Sequence, residues 1–163
     1  MPAWAAASRD VDATVRRRAA ELAPRVATFD PDGLALAALV EDPDPLVAEA
    51  ACWAVGERED LTDAAATAVE SRLADAARHH EDPLVREAAV AALGSRSARL
   101  DVILDACGDR PAIRRRAVLA LAPFDGPEVD AALQRALTDR ARADLALWLE
   151  GARDGAAGPA AAE

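Results

Sequence analysis

Two kinds of side chain in this 163-residue chain stand in patterns that could do chemistry: carboxylates grouped with arginines, and one short run of histidine and acid. The run His79-His80-Glu81-Asp82 offers metal-ligand types. Adjacent side chains on a helix diverge, however, so the two imidazoles do not converge on one ion, and no metal site is expected. Cys52 and Cys107 fit no metal or redox spacing and read as reduced core thiols. No Ser-His-Asp set, glycine-rich phosphate loop or zinc spacing is visible. The expectation is therefore a protein with no catalytic residue and no cofactor, not an enzyme. A site assembled from residues distant in sequence would leave no such mark.

The carboxylates and arginines are more informative. Asp12, Asp44, Asp82 and Asp109 precede four helical stretches, and Arg16, Arg86 and Arg114 stand at matching places inside three of them. In stacked units these form neighbouring columns, so the residues Asp12, Arg16, Asp82, Arg86, Asp109 and Arg114 are expected to make an ion-pair ladder between successive units. The second stretch has Ala48 where the others have Arg, which leaves Asp42, Asp44 and Glu49 without a local cation. Trp53 follows Glu49 by one helical turn and Glu57 follows Trp53 by another. An acidic patch beside an aromatic anchor suits a protein partner with a basic segment, so Asp42, Asp44, Glu49, Trp53 and Glu57 are the candidate partner-binding residues. The competing reading has Trp53 filling a groove between helices, as Ala91 and Leu119 would at the equivalent places. Arg16-Arg17-Arg18 and Arg114-Arg115-Arg116 are the basic clusters, read as solvated helix starts or as phosphate contacts. The formal net charge is −10, and residues 31–60 alone carry eight acids against Arg58. Such a balance argues against nucleic acid and against an anionic membrane surface as partners.

The elements that position these residues repeat. Asp82-Pro83-Leu84-Val85-Arg86-Glu87-Ala88-Ala89-Val90-Ala91-Ala92-Leu93-Gly94 holds a capping acid, a proline suited to the first helical position, a helix and a glycine suited to the exit. Degraded copies begin near Thr14, Asp44 and Arg110, anchored on Val15, Val47 and Ile113 beside Val85. Periods of this size mark helical arrays in which one unit cannot bury its apolar face alone. A fifth, weaker unit is anchored on Ala141. Relative to each anchor, offsets 3, 4, 7 and 8 make one apolar face, broken at Arg18 and Arg116. Offsets 5 and 6 add Cys52, Trp53, Val90, Val118 and Leu119, so the helix reads as apolar nearly all round and buried between layers. Partner helices are expected before these, over 34–40, 63–80, 100–107 and 128–137, the second of them longer than its counterparts, with a last helix over 140–152.

The pattern Asp-Pro-x-Val-Arg-x-x-Ala-x-x-Ala-Leu-Gly resembles the second helix of a HEAT repeat, and it is most similar to the short variety of the phycobilin-lyase-like HEAT proteins. Asp82 to Gly94 matches nearly letter for letter and residues 8–150 in part. The resemblance implies an all-α, right-handed α-solenoid of about five antiparallel helix pairs. It implies little about function, because such arrays serve many partners. A scaffold or adaptor binding a protein along its groove is the leading expectation. A bilin lyase-like or chaperone-like protein is the alternative, and a HEAT-like DNA glycosylase is disfavoured by the net acidity. The repeat domain is expected to span 1–152, with 153–163, rich in Gly, Ala and Pro, as a disordered tail. The N-terminus shows no signal-peptide pattern, so a bacterial cytoplasmic setting is expected. Oligomeric state is not legible.

Overall fold

The computed structural model describes residues 3–25, 34–58 and 61–156, with the backbone alone at 141, 142 and 144–156. Among the described residues there are nine α-helices and no strand. The chain divides into two compact units after Phe124, inside the 1–152 span expected from the sequence.

The first unit holds α1 (Ala3–Ala7), α2 (Ala13–Leu22), α3 (Leu34–Leu39), α4 (Pro45–Gly56), α5 (Asp63–His79), α6 (Pro83–Ser95), α7 (Leu100–Ala106) and α8 (Pro111–Ala120). A 3-10 turn, Ala23–Arg25, follows α2 where Pro24 ends the α-helical hydrogen bonding. The helix starts are built as their residues dictate. The carboxylates of Asp12, Asp44 and Asp82 accept the N–H groups of Thr14, Leu46 and Leu84 at 2.8, 2.9 and 2.8 Å. Pro45, Pro83 and Pro111 sit in the first turns of α4, α6 and α8, where a missing N–H costs nothing. The Thr62 hydroxyl caps α5 more loosely, at 3.4 Å from the Ala65 nitrogen.

Packing makes two layers. One stacks α2, α4, α6 and α8 in chain order; the other stacks α3, α5 and α7, and each of these also touches the helix that follows it. This is an α-solenoid: each helix meets only its near neighbours in sequence, and the core runs along the array. Val47, Val85 and Ile113, the anchors of three repeats, are fully buried. In α6, at the middle of the array, every residue from Ala88 to Gly94 is buried. At the first pair, Trp4 is buried against α2, and its indole N–H donates to the Ala19 carbonyl at 2.8 Å. That bond satisfies the one polar atom of the ring.

Gly94 does not end α6 as a left-handed cap. The helix continues through Ser95, and the glycine serves by its size. A Cβ at Gly94 would stand 2.6 Å from the Ala120 Cβ and 2.8 Å from its Cα. Gly56 meets Ala92 in the same way, 3.0 Å from Cα. Glycine therefore lets successive helices of one layer approach to backbone contact.

The second unit is one helix, α9 (Pro127–Ala156). The two helices expected over 128–137 and 140–152 are continuous, because no Pro or Gly lies between Pro127 and Gly151 to interrupt the backbone ladder. The helix extends into the expected tail as far as Ala156. Residues 157–163 of that tail, and the side chains of most of the unit anchored on Ala141, lie outside the described residues.

Candidate interaction face

The arginine at the second turn position of the long helices does the same work twice. The Arg16 guanidinium reaches back to the carbonyls of Asp10 and Val11, at 2.8 and 3.2 Å. It also reaches forward to both carboxylate oxygens of Asp42, at 2.7 and 2.9 Å. Arg86 repeats the geometry, with the carbonyls of His80 and Glu81 at 2.8 and 3.4 Å and Asp109 at 3.3 Å. Asp12 and Asp82 cap their own helices, so each tie runs from the arginine of one unit to an acid in the following turn.

This geometry corrects the reading of Asp42 as an acid without a cation. Its partner comes from the preceding unit, 26 residues away, and the pair is largely shielded from solvent. Asp44 is likewise occupied, as the cap of α4, while its own N–H donates to Asp42. Burial pushes the Asp42 carboxyl up, but the Arg16 hydrogen bond, the Asp44 N–H and the Arg16 charge outweigh it and hold its pKa below the ordinary value. A folded pKa below the unfolded one means stability that is complete above the unfolded pKa and lost as pH falls through the folded one. Asp42→Asn is accordingly expected to lower the urea midpoint at pH 7, with the gap from wild type narrowing as pH is taken toward 3. A gap that stays constant over that range would show that the ionised pair contributes nothing.

The basic clusters are largely tied up as well. Arg17 and Arg18 both meet Glu21, at 3.1 and 3.0 Å, and Arg116 meets Glu87 at 3.2 Å. The two histidines turn to different partners: His79 Nδ1 lies 2.9 Å from the Asp75 carboxylate, and His80 Nδ1 accepts the Asp82 N–H at 3.1 Å. Among the described residues no group of three His, Cys, Asp or Glu is placed to hold a metal ion. No described helix is long and apolar enough to cross a membrane.

Cys52 is fully buried on α4, and burial, aided by the nearby Glu49 charge, pushes its thiol up to about 12. Cys107 is half-buried. A thiol reagent at pH 8 is expected to modify Cys107 alone in the folded protein and both cysteines in denaturant. Two fast-reacting thiols without denaturant would place Cys52 outside the core.

Several large apolar side chains are also exposed. The helices at offset 6 are not buried all round: Trp53 is 41% exposed and Leu119 66%, and Leu46 and Leu84, one residue before the anchors, are also exposed. Offset 5 behaves as expected in three units, with Ala20, Cys52 and Val90 fully buried. The layer α2–α4–α6–α8 therefore has one face against the core and one face carrying large apolar side chains. Trp53 stands in the middle of it as the shared wall of two grooves. The first, about 270 Å³, lies between α2 and α4, lined by Leu46, Ala50 and Ala54 and edged by Glu49 and Glu57 on one side and by Glu21 with its partner Arg17 on the other. The second, about 560 Å³, runs over α6 and α8 past Ala91, Leu119 and Pro123. The Arg116 guanidinium carbon lies over the Trp53 ring, 5.3 Å from its centre. Of the candidate binding residues, the structure brings Glu49, Trp53 and Glu57 into one groove and leaves Asp42 and Asp44 out of it. Leu119 and Arg116 were missed as neighbours of Trp53, although the 66-residue gap between Leu119 and Trp53 spans repeats of unequal length and offset 6 alone aligns them.

Comparison with known proteins agrees with this architecture. A stretch of 38 residues, 23% of the chain, is 84% identical to part of the methylenetetrahydrofolate–tRNA-(uracil-5-)-methyltransferase TrmFO of Methylobacterium radiotolerans, of which it covers 8%. The chain thus spans less than a tenth of the length of that protein. The family model for HEAT repeats matches residues 70–152, just over half of the sequence and the part that holds α6, the most regular repeat. With that match over a two-layer helical array, the chain belongs to the HEAT-repeat family.

Proposed function

We propose that this is a non-enzymatic protein-interaction module, a scaffold or adaptor of the cytoplasm, that takes a protein partner along the exposed face of the α2–α4–α6–α8 layer. The observation that supports it is the row of large apolar side chains left open there, Leu46, Trp53, Leu84 and Leu119, at matching places on successive helices of one layer. Exposed apolar residues rimmed by charge are the usual mark of an association surface. The partner meets the α2–α4 end of the face through a basic segment, since Glu49 and Glu57 edge the groove beside Trp53. The short stretch shared with the methyltransferase covers too little of that protein to bring tRNA methylation into this reading.

The test is comparative capture. Wild type and the double variant Trp53→Ala/Leu119→Ala are used as bait in the same extract, beside Asp75→Ala on α5 as a control. Both changed side chains in the double variant are substantially exposed, so the fold is expected to survive, and a melting curve of the bait checks that it does. A protein held by wild type and the control but lost by the double variant is the expected result. Equal retention by all three baits places the interaction elsewhere.

A further inference from the structure

Resting on that interaction face, we infer that the Trp53 ring with Glu49 and Glu57 is a receptor for an arginine side chain of the partner, whose neighbouring apolar side chain seats in the groove beside Leu119. Four observations converge. Trp53 is the one large aromatic among the described residues of this face, and it is left partly open. The ring already has a guanidinium over it, Arg116, steadied by Glu87 on α6 at 3.2 Å. That contact shows the ring in a cation–π pairing from the α8 side, and Glu87 offsets the charge of Arg116 there. On the other groove, Glu49 stands one turn before Trp53 on α4 and Glu57 follows the last residue of that helix, and neither makes an ion pair among the described residues. Glu21, by contrast, is already neutralised by Arg17 and Arg18. Finally, the two grooves share the Trp53 wall, so a segment that crosses α4 places one side chain in the acidic groove and the next in the apolar one.

Arginine rather than lysine follows from shape. A guanidinium is flat, stacks on an aromatic face and forks toward two acceptors, whereas an ammonium is a compact, strongly hydrated point charge. The apolar lining of the acidic groove, Leu46, Ala50 and Ala54, also suits the methylene stem of a long side chain.

The experiment uses the full chain, labelled with nitrogen-15, and hexapeptides of alternating arginine and leucine, acetylated and amidated. Matched peptides carry lysine or citrulline in place of arginine. The Trp53 indole resonance is identified as the one missing from Trp53→Phe. Saturable shifts of that resonance and of the Glu49 and Glu57 amides are expected with the arginine peptide, weaker by several-fold with lysine and absent with citrulline. Glu49→Gln/Glu57→Gln should weaken binding by about tenfold, since it removes two close charge partners. Asp63→Asn/Glu81→Gln, which changes net charge equally at exposed sites elsewhere, should leave binding unchanged. Equal binding of the citrulline peptide, equal weakening by both pairs of substitutions, or shifts spread over all acidic segments would overturn the inference. So would self-association of the free protein through this groove, seen as concentration-dependent sedimentation that the peptide does not reverse. The outcome also separates the two readings: if extract capture is lost with Trp53→Ala/Leu119→Ala but kept with Glu49→Gln/Glu57→Gln, the interaction face stands and the arginine receptor is wrong.

Discussion

Ala89→Asp is expected to abolish the cooperative thermal transition of the protein. Ala89 lies at the centre of α6, with no exposed surface, and α6 touches α4, α5, α7 and α8 at once. A carboxylate there has neither water nor a cation to meet it. The nearest arginine on the same helix, Arg86, points to the turn carbonyls of His80 and Glu81 and to Asp109. Burying an unpaired polar group costs several kcal/mol, and the added volume forces neighbouring helices apart, so a loss of about 4–5 kcal/mol is expected. That is a large part of what holds a domain of this size together. Circular dichroism melting of Ala89→Asp beside Ala89→Ser separates charge from volume: serine should retain a transition at lower temperature and aspartate should not. An unchanged melting curve for aspartate would mean that α6 is not the middle of the array.

Gly94→Ala is expected to destabilise by about 2 kcal/mol, against the usual gain of about 1 kcal/mol for Gly→Ala inside a helix. The sign is decided by what the new methyl meets. It would fall 2.6 Å from the Ala120 Cβ and 3.0 Å from the Ala120 carbonyl oxygen, and neither backbone nor Cβ can swing away as a long side chain can. The helices α6 and α8 must separate, and the loss spreads to the buried Leu93 and Leu121 on either side. Gly108→Ala makes the matched comparison, because the nearest atom there is the Asp105 carbonyl oxygen at 3.4 Å. Urea midpoints should fall clearly for Gly94→Ala and barely move for Gly108→Ala. Stabilisation by Gly94→Ala would show that the helices are not in backbone contact.

How much of this was legible before the structure follows from the range of the interaction. The capping acids, the prolines and the anchors Val47, Val85 and Ile113 are local patterns, and they fell where the repeat placed them. The two-layer array followed from the same pattern, because a helix with so wide an apolar face needs neighbours on more than one side. Three features were not legible, each for a physical reason. Whether Trp53 was a binding anchor or a core side chain stayed open, and Leu119 read as core, because a helical wheel records polarity, not which angle the next helix leaves open. Asp42 read as unpaired because its cation lies 26 residues back, across a turn whose path the sequence does not give. Gly94 read as a stop signal because the same residue type serves a left-handed turn and a close helix contact, and only the position of Ala120 separates the two. The candidate site shifted accordingly: Glu49, Trp53 and Glu57 share a groove, whereas Asp42 and Asp44 belong to the framework.

The ties between units also bear on how quickly the chain finds this arrangement. Trp4 reaches Ala19 over 15 residues, Arg86 reaches Asp109 over 23 and Arg16 reaches Asp42 over 26. The widest span among them joins Arg96 to the Arg58 carbonyl, 38 residues apart. Closing loops of that length carries a modest entropic penalty, and chains dominated by such near-neighbour contacts cross their folding barrier in microseconds to milliseconds. Assembly can then begin at α6, the best-buried helix, and spread outward in both directions, so the repeat that nucleates the array need not be the first one to leave the ribosome.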